Sequence, residues 1–176
     1  MWYNLDRLGN FLPFGGECLY NIGEKIVYPM HGAGIIEAIE QKEILGKLQQ
    51  YYILKIATTH MDIMVPVATA DDIGVRPIID KKDLGKIIEE IKHYDEADEQ
   101  NWNKRYRLNL QKLKTGDIIE VGHVIKSLLI RESARPLSTC EKKILTNARQ
   151  IMASEIVLAT GEDIESVEKQ IDSLVC

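Results

Sequence analysis

The chain has 176 residues, 45% of them hydrophobic and 28% charged, with a formal net charge of -5 at pH 7. This length can bury a core and fits one ordinary domain or two small ones. Since no apolar run reaches the roughly 18 residues of a membrane span and no N-terminal signal pattern is present, we expect a cytoplasmic protein with no membrane partner. Cys18, Cys140 and Cys176 form no paired motif, which argues against a disulfide framework or zinc ribbon and predicts reduced thiols.

The charges are unevenly distributed along the chain. Residues 1–100 contain 10 basic and 17 acidic side chains, residues 101–150 contain 11 and 4, and residues 151–176 contain 1 and 6. The overall acidity argues against a protein that coats nucleic acid indiscriminately, but a focused basic segment can still bind phosphates. A solvated helical face would explain the same charges.

The first half of the chain has the pattern of a small β domain. Residues 1–18 have scattered aromatic residues but no sustained period, and we expect them to lie outside the fold. Segments rich in β-branched and aromatic residues then alternate with turn formers, which predicts five strands, at 24–29, 33–44, 49–57, 61–67 and 75–79. Because the connections are short, we predict an antiparallel β-barrel domain over residues 19–79.

After Asp80 the apolar spacing changes to the three and four residues of a helix, beginning with Leu84 and Ile87. An acidic connection (94–100) is followed by two predicted antiparallel helices, one through Tyr106 and one over 116–133. The capping box of Ser138 and Glu141 predicts a long helix that ends near Gly161, and residues 162–175 predict a last amphipathic helix. The fold class is therefore α+β, with a barrel followed by an all-α domain of about five helices over residues 80–176.

The sequence gives no pattern typical of an enzyme or a metal site. The four histidines are isolated, and none belongs to a known catalytic or zinc-binding spacing. His31 lies in PMHGAG, which predicts a tight turn rather than a phosphate loop, since no helix pattern follows the glycines. We therefore expect no catalysis, no metal and no cofactor.

The stretch NWNKRYRLNL (101–110) combines an aromatic residue with several cations. Trp102 lies at the N-terminal end of an apolar stripe that continues through Tyr106, Leu110 and Leu113. One group of cations lies on a face displaced from the stripe: Lys104, Arg107 and Lys114. Two further cations lie at the margins: Arg105 and Lys112. Trp102 could simply cover the edge of a core. Alternatively, the cations could bind phosphates while the indole fills a gap where DNA strands separate and base stacking is already broken.

Four stretches, in order, carry a family resemblance: residues 22–40, 71–79, 101–117 and 137–159. On these, the chain from about Leu19 to Val175 resembles the CarD/CdnL family of bacterial transcription regulators. The resemblance implies a Tudor-like barrel that binds the β lobe of the RNA polymerase β subunit, and a helical domain that binds promoter DNA. It also implies a non-enzymatic monomer that contacts the minor groove and phosphates with little sequence specificity. Such a protein stabilises the open complex at the upstream edge of the transcription bubble.

The resemblance also implies site residues. Trp102 matches the family's minor-groove tryptophan, while Lys104, Arg105 and Arg107 match basic positions around it. Lys142, Lys143 and Arg149 match basic positions on the long helix, and Lys114 joins the DNA-binding set by its helical spacing. On the polymerase face we expect Lys42, Met61, Ile63 and Met64. Relatives can have an arginine at each of the positions of Lys42 and Met64, and only Lys42 is still basic here. We therefore expect the polymerase contact to depend more on strand pairing and apolar packing.

Two other functions fit parts of the pattern. A protein–protein adaptor would use both modules for protein partners and leave the basic face solvated. A shortened relative of the transcription-repair coupling factor would have a similar polymerase-binding module, but the sequence contains no P-loop or helicase motif.

Overall fold

The computed structural model describes residues 19–44, 46–95 and 101–175, together with the backbone of two short N-terminal strands. Strands β1 (Asn4–Leu5) and β2 (Phe11–Leu12) pair antiparallel with each other and join no other sheet. The rest of the predicted extension 1–18, most of the acidic connection (96–100) and two of the three cysteines lie outside the described residues. The third cysteine, Cys140, is an exposed thiol.

The N-terminal half forms a five-stranded antiparallel sheet with the order β6-β5-β4-β3-β7. Its strands are β3 (Lys25–Tyr28), β4 (Gly32–Ile44), β5 (Lys47–Ile56), β6 (Asp62–Pro66) and β7 (Arg76–Pro77). All five predicted strands are present. The predicted tight turn joins β3 to β4, and in it the His31 amide donates to the Tyr28 carbonyl at 3.0 Å.

Two local features differ from the sequence prediction. The last strand is two residues long rather than five: beyond Pro77 the Ile78 amide reaches the Lys25 carbonyl only at 3.4 Å, and the Ile79 amide donates to Glu155 Oε1 at 3.0 Å instead of continuing the ladder. Where the sequence predicts only a connection of turn formers between the strands at 61–67 and 75–79, the structure has a short helix, α1 (Ala70–Ile73), which ends at Gly74 in the left-handed conformation. Asp71 and Asp72 lie in its first turn, where negative charge suits the helix dipole.

A small core covers one face of this sheet. The strands contribute Ile26, Ile36, Tyr52, Leu54, Ile56 and Val65, and the segment that crosses from β6 to β7 contributes Val67, Ala70 and Val75. The β4–β5 hairpin continues past this core to Ile44 and Lys47, so its outer part is exposed on both faces.

The C-terminal half contains the five predicted helices. They are α2 (Leu84–His93), α3 (Trp102–Thr115), α4 (Ile118–Ala134), α5 (Thr139–Thr160) and α6 (Ile164–Asp172). The predicted capping box of Ser138 and Glu141 begins α5, and Gly161 ends it in the left-handed conformation. No described helix has both the length and the apolar character required to cross a membrane.

Helix α5 packs directly against the sheet through buried polar contacts. Ser154 is fully buried, and its Oγ accepts a hydrogen bond from the Ala33 amide at 2.7 Å. Glu155 is 1% exposed, and its two carboxylate oxygens accept hydrogen bonds from Nη1 and Nη2 of Arg76 at 2.6 and 2.9 Å. A Cβ at Gly32 would lie 2.6 Å from Ser154 Oγ, so the turn between β3 and β4 approaches α5 closely only because glycine is there.

Candidate functional site

Trp102 is the first residue of α3 and remains substantially exposed. Asn101 caps the helix, its side chain accepting from the Lys104 amide at 3.1 Å. The indole stacks on the ring of Tyr106, one turn later, with 5.5 Å between centroids and 18° between planes. Trp102 is 41% exposed, whereas Tyr106 packs against the helical core and Leu113 is buried. The apolar stripe therefore begins at the surface and ends in the core, and the tryptophan is not sealed inside the protein.

Three predicted cations of α3 lie at the surface. Lys104, Arg107 and Lys114 are exposed. Their spacing of three and seven residues places them on one side of the helix. Arg107 and Lys114 form no ion pair with any other residue in the part of the chain that the structure describes. Because both side chains are exposed, an external anion can reach them.

Arg105 occupies a different environment. Its side chain is only 12% exposed, and its Nε and Nη2 donate to Oε1 of Glu141 at 3.0 and 2.7 Å. Glu141 lies on α5, and Arg131 of α4 approaches the same oxygen at 3.4 Å. Arg105 thus joins the interior of the helical domain, and contact with a DNA phosphate would have to compete with this ion pair.

The same carboxylate holds the start of α5. Its second oxygen, Oε2, accepts from the Ser138 amide at 3.0 Å and from the Ser138 hydroxyl at 2.7 Å. Burial by itself would raise the pKa of Glu141, but the hydrogen bonds from Ser138 and Arg105, with the Arg105 charge, outweigh burial and lower it. Glu141 is therefore a buried carboxylate kept ionised by its partners.

Ser138 also connects this carboxylate to the tryptophan. The indole Nε1 of Trp102 lies 3.4 Å from Ser138 Oγ, a long hydrogen bond across 36 positions of sequence. The exposed ring and the first turn of α5 consequently meet at one place on the surface. The tertiary structure thus brings the two predicted DNA-binding segments together.

The predicted basic residues of α5 have two kinds of surroundings. Lys142 and Lys143 are exposed and, among the described residues, have no ion-pair partner. They follow directly on the helix N-terminus, whose dipole also attracts anions. Arg149 is partly exposed and forms an ion pair with Asp172 of α6. Lys142 and Lys143 can meet a phosphate directly, whereas Arg149 would have to share its charge with Asp172.

The residues predicted to bind polymerase lie around the open edge of the sheet. Residues paired across an antiparallel sheet point to the same face, and so do residues separated by an even number along one strand. Met64 pairs with Ile53 of β5, and Lys42 pairs with Gln49, four residues before Ile53 on the same strand. Met64 and Lys42 therefore lie on one face of the sheet. Met64 is 45% exposed, and Lys42 forms an ion pair with Glu40 at 3.0 Å. Ile63 points to the opposite face and packs against the sheet core.

Other exposed apolar residues extend this edge. Met61 precedes β6 and is 61% exposed, while Ile44 and Leu48 near the tip of the β4–β5 hairpin are 40% and 63% exposed. Ile44 lies two residues from Lys42 and so on the same face. Sequence reasoning missed Ile44 and Leu48, although an apolar pair beside a predicted turn is a signal that could have been used.

Comparison with known proteins gives matches to both halves of the chain. Residues 20–79 match the family described as "CarD-like/TRCF RID domain", and residues 86–172 match "CarD, C-terminal domain". The chain is 39% identical over 155 residues to "Putative transcription factor YdeB" of Bacillus subtilis (strain 168). That similarity covers 88% of this chain and 99% of the relative. The RID domain has a Tudor-like fold, so the match and the five-stranded antiparallel sheet together confirm the predicted fold class.

Proposed function

The chain belongs to the CarD family of transcription factors, and from this premise we propose that it stabilises the open promoter complex of RNA polymerase. In this proposal the sheet domain binds the β lobe of the polymerase β subunit. The helical domain places Trp102 in the minor groove at the upstream edge of the transcription bubble. The protein acts as a cytoplasmic monomer and performs no chemical reaction.

The observation that carries this proposal is the exposure of Trp102 on a surface that also presents the exposed cations Lys104, Arg107, Lys142 and Lys143. Trp102 is 41% exposed and its indole stacks on Tyr106, so a large flat apolar ring is presented to a partner at the protein surface. The neighbouring cations favour a partner that carries phosphates. Unstacking intact duplex costs a few kcal/mol per step, so a ring of this kind binds best where stacking is already broken. The edge of a melted bubble has that property.

The charge distribution favours weak intrinsic binding to DNA. If Lys104, Arg107, Lys142 and Lys143 each neutralise one phosphate, the logarithm of affinity falls with the logarithm of salt concentration with a slope of about -3 to -4. A total charge of -5 opposes binding to free duplex at cellular salt. The polymerase-bound sheet would compensate by raising the local concentration of the helical domain at the promoter.

The open edge of the sheet is the proposed polymerase-binding surface. In the described sheet β6 pairs only with β5, so its other side can accept a strand from a partner. Met61 and Met64 would provide apolar contact, and Ile44 extends that contact toward Lys42. Because the side chain of Ile63 packs inward, its contribution to this contact would come from the backbone of β6.

Replacing Trp102 tests the proposed function. We expect Trp102→Ala to shorten the lifetime of the open complex by about fivefold or more, since stacking of an aromatic side chain on a base contributes about 1–3 kcal/mol. Binding to polymerase should not change. The measurement is dissociation of competitor-challenged promoter complexes with purified polymerase from the same organism. The control is Trp2→Ala, which alters the other tryptophan of the chain and lies outside both family matches. Equal open-complex lifetimes for the two variants would exclude a role of Trp102 as a wedge in DNA.

Crosslinking distinguishes this function from a protein adaptor. A photoreactive amino acid at position 102, introduced into an assembled promoter complex, should crosslink to DNA at the upstream edge of the bubble. A crosslink to protein alone would favour the adaptor.

A further inference from the structure

We propose that Arg105 and Glu141 are positioning residues that hold the indole of Trp102 in its DNA-binding orientation through Ser138. This inference rests on the proposed function, because it concerns the same tryptophan. It assigns Arg105 a role different from the phosphate contact that its charge suggests, and it gives Glu141 a role beyond capping a helix.

The two carboxylate oxygens of Glu141 have different partners. Oε1 receives two nitrogens of Arg105 and faces Arg131, while Oε2 receives the amide and the hydroxyl of Ser138. A carboxylate held on both oxygens cannot rotate without breaking bonds to one side. Glu141 therefore fixes the Ser138 hydroxyl relative to α3, the helix that begins at Trp102.

Ser138 and Tyr106 both contact the indole of Trp102. Ser138 Oγ lies 3.4 Å from Trp102 Nε1, and Tyr106 stacks on the ring. The ring is thus limited by a polar contact at its edge and an aromatic contact on its face. The exposed part of the residue, 41% of its surface, is left for a ligand.

Burial separates Arg105 from the exposed cations of α3. Its side chain is 12% exposed and lies against a carboxylate that is 6% exposed. Arg107, two residues later, is exposed and has no ion pair with a described residue. A phosphate could approach Arg107 directly, but it would have to displace Glu141 to reach the guanidinium of Arg105.

Holding the ring in advance would strengthen its binding. A side chain that rotates freely must lose that freedom when it enters DNA, and this loss weakens binding. A ring that already has the bound orientation avoids the loss. Because Arg105 contacts Glu141 through two nitrogens of a planar group, lysine at position 105 would keep the charge but lose the geometry.

The first experiment measures the ring without DNA. In the full-length protein with Trp2→Phe, Trp102 is the sole tryptophan, so time-resolved fluorescence anisotropy reports its motion. We expect Arg105→Lys and Arg105→Gln to increase the fast component of depolarisation, and Arg107→Lys and Arg107→Gln to leave it unchanged. Ser138→Ala should also increase it, whereas Ser138→Thr retains a hydroxyl and should not; this pair provides the test if an Arg105 variant does not fold.

The second experiment measures open-complex lifetime for the same variants. We expect Arg105→Lys and Arg105→Gln to shorten it alike, by about two- to tenfold, the range for ordering one side chain on binding. Arg107→Lys should retain most of the wild-type lifetime, and Arg107→Gln should lose more, because a phosphate contact depends on charge.

The outcomes separate the inference from the proposed function. If Trp102→Ala has no effect on lifetime, the proposed function is wrong. If Trp102→Ala shortens the lifetime but Arg105→Lys behaves as wild type while Arg105→Gln does not, Arg105 acts through its charge and the inference is wrong. The inference is also wrong if both Arg105 variants have the anisotropy decay of the wild type. If neither Arg105 variant folds, an unchanged anisotropy decay in Ser138→Ala overturns the inference instead.

Discussion

Glu141 connects three helices through one carboxylate. It lies on α5, accepts hydrogen bonds from Arg105 of α3, and approaches Arg131 of α4 at 3.4 Å. A buried charge without partners would be strongly destabilising, and here each oxygen has a donor. The ion pair is thus a structural feature of the helical domain as well as part of the candidate site.

The lowered pKa of Glu141 predicts a specific loss of stability in acid. A group whose pKa is lower in the folded state contributes stability above its ordinary value, near 4.5, and that contribution disappears as pH falls through the folded-state pKa. Below about pH 4.5 the free energy of unfolding of the wild type should therefore fall more steeply than that of Glu141→Gln.

Urea denaturation at a series of pH values checks this prediction. Glu132→Gln, at an exposed position on α4, is the control and should follow the wild-type curve. Parallel curves for the wild type and Glu141→Gln would contradict the assigned shift.

At the scale of elements, the crossing of α2 and α4 depends on one glycine. Gly122 is buried in the middle of α4, opposite Ile91 of α2. A Cβ at Gly122 would come within 2.7 Å of Ile91 Cγ1, and Ile91 is completely buried. The two helices can therefore approach this closely only where the side chain is absent.

We expect Gly122→Ala to destabilise the protein, although alanine has a higher helix propensity than glycine. Alanine is favoured over glycine in a helix by about 1 kcal/mol, but inserting a methyl group into a packed core costs about 1–3 kcal/mol. A net loss of about 1 kcal/mol in urea denaturation is expected. Gly85→Ala on α2, where a Cβ would meet nothing within 4 Å, should instead be neutral or stabilising. If both variants gain stability, α2 and α4 do not pack as described.

At the scale of the whole molecule, the sheet and the helices are joined by buried polar groups. Glu155 on α5 binds Arg76 of β7 and also accepts from the Ile79 amide at 3.0 Å. Arg76 donates in turn to the Gly116 carbonyl, at the end of α3, at 2.6 and 2.9 Å. Such directional contacts fix the sheet relative to α3, which begins at Trp102. In the proposed function they set the distance between the polymerase-bound surface and the wedge.

Removing the Glu155 carboxylate should loosen this junction. We expect Glu155→Ala to lower the free energy of unfolding by about 3 kcal/mol, because it leaves the Arg76 charge without its partner. This is the lower end of the range for a broken buried ion pair, since the Arg76 side chain is 28% exposed and keeps some contact with water. Thermal and urea unfolding measure the change. Glu168→Ala, an exposed acid on α6, should change stability by no more than about 0.5 kcal/mol. Equal effects of the two variants would show that the junction does not depend on this pair.

The sequence by itself determined the existence and order of the five strands of the main sheet and of the five helices of the C-terminal half. Strand and helix periods, the Ser138 capping box and the terminating Gly161 are encoded by residues close together in the chain, where local physics acts. The family resemblance was likewise readable from four stretches, and the family matches confirm it. Helical spacing also predicted the exposed cations of α3, because a face displaced from the apolar stripe points to solvent: Lys104, Arg107 and Lys114.

The tertiary structure decided which charges are available. The sequence places both Arg105 and Arg107 among the expected DNA-binding cations, yet Arg105 pairs with Glu141, 36 positions away, whereas Arg107 is exposed. Likewise, nothing local to Ser154 or Glu155 indicates that both are buried against the sheet. A side chain's partner depends on which helices pack together, and packing joins residues distant in the chain; spacing gives a face, but only the assembled fold determines what that face meets.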